Sequence, residues 1–198
     1  MCRDGRPLLL ALASTLALVV PAGAQAPPAP ERGTDLAVFV GAASSQAATG
    51  GVIAGIAGWQ LTPLVAAEAR AGWFDRERGS SAFAADVGAL VRLSVREPVR
   101  PYVTAGFGLY RAAFGGGARP GSPFYRRRVG SDIVPAGGAS FTDPAARLGA
   151  GLDLAAGRNV TIRPEVGALI VWRDGHRHTL GSFGVRIGYR FEDRPVTP

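Results

Sequence analysis

Apolar and non-apolar residues alternate along most of the chain, and the period is two. In 64–75, Val65, Ala67, Ala69, Ala71 and Trp73 share one parity, while Glu68, Arg70 and Gly72 share the other. In 82–95, Ala85, Val87, Ala89, Val91 and Leu93 oppose Asp86, Gly88, Leu90, Arg92 and Ser94. The same reading sets Val103, Ala105, Phe107 and Leu109 against Thr104, Gly106, Gly108 and Tyr110 in 99–114. In 146–156 it sets Leu148, Ala150, Leu152 and Leu154 against Arg147, Gly149, Gly151 and Asp153. Ile162, Val166, Ala168, Ile170 and Trp172 oppose Thr161, Arg163, Glu165 and Gly167 in 159–173. Phe183, Val185, Ile187, Tyr189 and Phe191 oppose Gly184, Arg186, Gly188 and Arg190 in 179–191. Such alternation predicts β-strands. With 35–44 and 50–60 added, the pattern predicts eight. The stretch at 50–60 has a rival, because Gly51 and Gly55 also fit the GxxxG spacing of a membrane helix.

Predicted connections alternate in length. Turns at 61–63, 96–98 and 157–158 are tight, and loops near 45–49, 76–81, 115–145 and 174–178 are longer. Short turns on one side and long loops on the other are the habit of outer-membrane barrels. The even strand count then puts both termini on the short-turn, periplasmic side.

Strand pattern alone fits a soluble sandwich as well as a membrane barrel. Two features favour the barrel. The non-apolar parity carries Glu68, Asp86, Asp153 and Glu165 against Arg70, Arg92, Arg163 and Arg186, a balance of signs. A solvated face needs no balance, whereas a narrow interior does, because an unpaired buried charge costs several kcal/mol. The alternating glycines leave room for arginine in a tube of eight strands. Aromatics are the second feature. Trp59, Tyr102, Tyr189 and Phe191 fall at predicted periplasmic ends, and Trp73, Tyr110 and Trp172 at outer ends, as interfacial girdles would. Tyr102 and Tyr110 carry the inner parity, so their place in a girdle requires a bulge or an end position. The expectation is an all-β, eight-stranded antiparallel up-and-down transmembrane barrel over 34–191, with apolar groups outward and ions inward. Within it, Glu68 and Arg70 are expected to compensate one another.

The flanks point to export. Arg3 and Arg6 precede an apolar run at 8–20 and the small residues Ala22, Gly23 and Ala24, the plan of a signal peptide cleaved after Ala24. Ala24, Gln25 and Ala26 form a second candidate site, which would leave Pro27 first. An uncleaved anchor is the alternative, but the run is shorter than the ~20 residues a bilayer needs. Residues 25–33 read as a flexible lead-in, and 192–198 as a short tail. Cys2 precedes the apolar run, so a lipoprotein anchor is excluded and the mature chain has no disulfide.

The formal charge is +7, all of the basic residues being arginine. Most are dispersed singly through apolar stretches, which argues against the concentrated basic face of a nucleic-acid binder.

The pattern over 34–191 resembles the outer-membrane β-barrel domains of the OmpA/OmpX type, most locally in the closing SFGVRIGYRF. The resemblance implies a bacterial outer-membrane location and insertion by the barrel-assembly machinery, which reads alternating terminal aromatics such as Tyr189 and Phe191. Arg186 stands where that signal usually has glycine, and 192–198 follow an aromatic that is usually terminal. At this length the peptidoglycan-binding domain of longer relatives is not expected.

Candidate chemistry is sparse. The inner arginines and carboxylates plug a tube or gate a small pore. Arg126, Arg127 and Arg128, in the 115–145 loop with Arg119 and Tyr125, are candidate contacts to lipopolysaccharide phosphates. His176 and His178, with Asp174, are candidates for a metal site or for the histidine of a lipid A-modifying barrel enzyme. Barrel deacylases carry serine two residues after that histidine. Here Thr179 follows His178, and Ser182 is four away. The glycine-rich strings lack the lysine and helix of a phosphate loop. The expected role is structural or surface-interacting, without catalysis or cofactor, in a monomer among outer-membrane lipids. A lipid A-modifying barrel enzyme and a soluble exported lipid-carrying barrel are the alternatives.

Overall fold

The computed structural model of the chain describes residues 33–45, 49–76, 80–94, 99–120 and 122–192. Eight strands form there: β1 (Gly33–Ser44), β2 (Thr49–Gln60), β3 (Val65–Arg76), β4 (Ser80–Arg92), β5 (Val99–Phe114), β6 (Ala139–Ala155), β7 (Val160–Arg173) and β8 (His176–Glu192). Each pairs antiparallel with its sequence neighbour, and β8 returns to β1, closing a barrel. Closure removes every edge, so ladder N–H and C=O groups find partners without water. The second strand is a strand and not a helix. Gly51 and Gly55 lie on its outer face, where an added Cβ would meet nothing. The predicted signal peptide, its cleavage site, the lead-in through residue 32, the 96–98 turn and the tail from 193 lie outside the described residues.

The two parities face opposite ways, as alternation requires. Val87 is 68% exposed and Ile187 58% exposed on the outer wall. Glu68, Asp86, Arg92, Asp153, Arg163, Glu165 and Arg186 are buried within. Among the described residues no helix is long and apolar enough to cross a membrane.

The end where β1 begins and β8 finishes is here the terminal end, and the opposite end the loop end. Two turns at the terminal end are short. Leu61 N and Thr62 N both donate to Val65 O, and Ala156 N donates to Val160 O.

The loop end departs from expectation in three ways. First, β6 begins at Ala139 and not near 146. Thr142, Asp143 and Pro144 read as turn residues, yet they extend the strand along β5, with Leu109 opposite Pro144. The β6–β7 ladder starts only at Ala145, so proline occupies a stretch with one neighbour, where its missing N–H costs no bond. Second, the expected loop at 174–178 is a two-residue turn, with Asp174 at φ 50° and Gly175 at φ 75°. Two left-handed residues in succession match the twist of a tight hairpin. Third, the 115–145 loop contains a helix, α1 (Pro123–Val129). Ser122 caps it by accepting from Phe124 N, proline follows at the first position, and Gly130 (φ 72°) closes it. Seven residues are too few for a helical period to register against the surrounding glycine and proline.

The aromatic expectation holds for the outward residues only. Trp59, Trp73, Tyr189 and Phe191 are exposed on the wall. Trp172 is half-buried against Phe107, ring centroids 5.8 Å apart. Tyr102 and Tyr110 are fully inside, as their parity dictates, and belong to no girdle.

Candidate functional site: a layered lumen and its cap

The lumen is filled in layers. Nearest the terminal end, Asp153 on β6 receives three arginines. Arg92 Nε lies 3.0 Å from its Oδ2, Arg100 Nη2 3.5 Å from the same oxygen, and Arg163 Nε 3.3 Å from Oδ1. Arg163 also reaches Asp35 Oδ2 on β1 at 3.2 Å, and Arg92 donates to Gln60 Oε1 at 2.8 Å.

The next layer centres on Arg186 of β8. Its guanidinium forks between Glu68 on β3 and Glu165 on β7, with 2.8 Å from Nη2 to Glu165 Oε2. Glu165 takes a further bond from Arg70 Nη1 at 2.8 Å and one from the Tyr102 hydroxyl at 3.0 Å. Arg147 on β6 bonds Asp86 Oδ1 at 2.9 Å and Thr104 Oγ1 at 2.8 Å, and its Nη2 lies 4.0 Å from Glu68 Oε2. Every strand but β2 supplies an ion to these two layers, and β2 supplies Gln60. Such pairs offset the desolvation of each ion only when their geometry and further hydrogen bonds are good.

Glycines make these reaches possible. Tyr102 lies across its register partner Gly151, where a Cβ would stand 2.6 Å from the tyrosine oxygen. Phe39 covers Gly184, two residues from its own register partner Arg186, and the Arg70 guanidinium sits 4.5 Å over the Phe39 ring. An aromatic laid over a facing glycine fills the tube and aims a neighbouring ion.

The structure thus brings Glu68, Arg70, Asp86, Arg92, Asp153, Arg163, Glu165 and Arg186 into one interior cluster. The expected Glu68–Arg70 compensation is corrected. These two share a strand and a face, but each bonds to β7 or β8 across the lumen. Sequence reasoning missed Asp35, Arg100, Arg147, Thr104 and Tyr102. Arg147 had the inner parity, and Tyr102 was assigned to a girdle despite its own. Asp35 and Arg100 lie close to strand starts, where parity has few neighbours to establish it.

Toward the loop end the lumen turns apolar, against the expectation of ions throughout. Phe39, Val52, Ala54, Ile56, Phe74, Ala84, Leu169 and Leu180 pack there in one core that continues into the cap. Helix α1 closes it. Phe124 and Tyr125 are buried, and Tyr125 packs on Phe114 and Phe141 with centroids 5.2 and 6.2 Å away. Burial pushes the Tyr125 phenol above its ordinary range.

Of the three candidate lipid-binding arginines, Arg126 and Arg127 are exposed. Arg128 is corrected. Its guanidinium bonds the fully buried Asp143 carboxylate and lies 4.4 Å over the Phe141 ring, so it secures the cap. Arg173 Nη1 reaches the same carboxylate at 3.3 Å.

The histidines separate. His176 is exposed, its Nδ1 2.9 Å from Asp174 O. His178 is buried beneath α1, with Nδ1 3.3 Å from Ser122 Oγ and Nε2 3.5 Å from Arg76 Nη2. A serine and an imidazole therefore meet, but through a serine far from the one considered in sequence. A guanidinium stands where a triad needs its carboxylate. Ser122 Oγ is also engaged by Phe124 N at 3.2 Å. Among the described residues, no group of three or more His, Cys, Asp or Glu is placed to hold a metal.

A closed antiparallel barrel with an apolar wall and an ionic lumen defines a protein that crosses the outer membrane with strands. The comparisons agree. Residues 9–191 match the outer membrane protein beta-barrel domain family, and the chain belongs to it. Its location is accordingly the bacterial outer membrane. The fold is similar to that of the Neisserial surface protein A crystal structure (TM-score 0.59, 14% identity, covering 81% of this chain and 97% of that one). It is similar also to the N-terminal β-barrel domain of Pseudomonas aeruginosa OprF (TM-score 0.51, 16% identity, 79% and 97%). The outer membrane enzyme PagL aligns at TM-score 0.45 with 17% identity over 78% of this chain and 98% of that one. No curated protein matches the sequence significantly.

Proposed function

We propose that this protein is a sealed outer-membrane barrel with a structural or surface-interaction role, without catalysis, its loop end facing the cell exterior. The carrying observation is the side-chain wall across the lumen. Arg163 is 1% exposed and Arg186 0% exposed, and each bonds to partners on more than one other strand. An ion passing through would have to part these pairs, each at a cost of several kcal/mol. The apolar layer and α1 form a second barrier above it.

In this reading the partners are outer-membrane lipids. Arg126 and Arg127 face outward from α1 with the charge and geometry to meet lipopolysaccharide phosphates. The barrel-assembly machinery is the partner for insertion, through the Tyr189 and Phe191 end. The barrel acts as a monomer.

Planar-bilayer recording of the purified protein tests the seal. No stable conductance is expected above the bare membrane, and reproducible single-channel steps would overturn it. The contact between Ser122 and His178 favours a second reading, a lipid A-modifying enzyme. Unchanged lipid A mass spectra on expression would remove that reading, and a change that reverts with His178→Ala would establish it.

A further inference from the structure

A cleft of about 830 Å3 opens at the loop end between α1 and the adjoining ends of β1 and β8. Its volume falls among those of small-molecule sites. Its walls come from three separate parts of the chain: Ser44 and Ser45, then Phe124 and Arg127, then His176 and Arg177. Among the described residues no carboxylate lines it. The nearest acid in sequence, Asp174, lies with Oδ2 3.6 Å from Arg173 Nε.

The floor is built and held. His178 and Ser122 are buried there and bonded to each other. Phe124 stacks on the His178 ring at 6.0 Å with an interplanar angle of 22°. The cleft therefore offers a rigid base, hydroxyl groups on one side, and cations arriving from two independent elements.

We infer that this cleft binds a phosphorylated saccharide. Arg127 and Arg177 take the phosphate oxygens, since a guanidinium presents paired N–H donors that match phosphate. The hydroxyls of Ser44, Ser45 and Thr179, which also lines the cleft, exchange hydrogen bonds with sugar hydroxyls. Pro123, exposed on the cleft wall, supplies the apolar surface that a sugar ring covers. The space exceeds what one inorganic anion fills. The inference rests on the outward orientation of the loop end proposed above. The sugar phosphate has two possible sources, a glycolipid of the same membrane or a soluble molecule outside.

The test uses the full chain in phosphatidylcholine nanodiscs, titrated calorimetrically with glucosamine 6-phosphate. Saturable binding is expected, with glucosamine and inorganic phosphate each at least ten-fold weaker. The Arg127→Ala/Arg177→Ala double variant should lose at least ten-fold. Its exposed side chains leave the heat-dependent gel shift of the folded barrel intact, and Arg158→Ala, in the exposed turn at the terminal end, should bind as wild type. Absent binding, equal binding of phosphate or glucosamine, or an unaffected double variant would overturn the inference. Nanodiscs containing purified lipopolysaccharide separate the sources. Displacement of the probe assigns the cleft to membrane glycolipid, and undiminished binding assigns it to a soluble ligand. A conducting barrel that still binds the probe would refute the seal and leave the cleft standing.

Discussion

Arg186 on β8 and Glu68 on β3 are 118 residues apart in sequence, yet their side chains form a two-pronged ion pair across the lumen. Glu165 shares the same guanidinium. One guanidinium thus pairs with two buried carboxylates, and Arg70 supplies the second positive charge at Glu165. Replacing it with an apolar side chain of similar length leaves both acids short of a partner. Arg186→Met is expected to destabilise the barrel by about 3–5 kcal/mol. Urea titration of folding into lipid vesicles measures this, and an unshifted midpoint would show that the fork contributes nothing.

Pairing across strands, not along them, governs compensation. Arg147 and Asp86 are in direct contact at 2.9 Å. A double-mutant cycle with Arg147→Gln and Asp86→Asn should therefore yield a coupling of about 0.5–3 kcal/mol. The in-strand exchange Glu68→Arg with Arg70→Glu should rescue nothing, because neither residue bonds to the other. Recovery of stability in that exchange would contradict the network described.

The outer wall carries its own prediction. Val87 stands at the middle of β4 and faces outward. In a bilayer, Val87→Arg places a charge near the midplane and should cost about 2–4 kcal/mol in vesicle folding. Val87→Leu should be neutral. If arginine is tolerated as well as leucine, that face is not in contact with lipid.

The cap is held by one buried acid. Asp143 receives Arg128 from α1 and Arg173 from β7. Asp143→Asn keeps the shape and removes the charge, so α1 should loosen while the barrel persists. Trypsin digestion of vesicle-inserted protein should then cut after Arg126, Arg127 or Arg128 several-fold faster than in wild type. Equal rates would show that the apolar contacts of Tyr125 hold the cap alone.

Much of this was legible in the chain. Alternation with period two reports which side of a strand each residue occupies, and a closed sheet has only two sides. Once the glycines and paired ions of one parity are recognised as interior, Val87 and Ile187 must face out and Arg186 in. That inference needs no partner assignments. The same rule placed Tyr102 and Tyr110 correctly by parity, and only the preference for girdles obscured it. Three things required the closed barrel. Parity names a face but not a height or a neighbour, so the partner of Glu68 emerged only when register brought β8 opposite β1 and across from β3. The division of the lumen into ionic and apolar layers follows from strand stagger, which shifts equivalent sequence positions to different depths. Helix α1 was silent because a seven-residue helix gains little stability from its own hydrogen bonds. Its stability comes from burying Phe124 and Tyr125 in a mouth that exists only after the strands have closed.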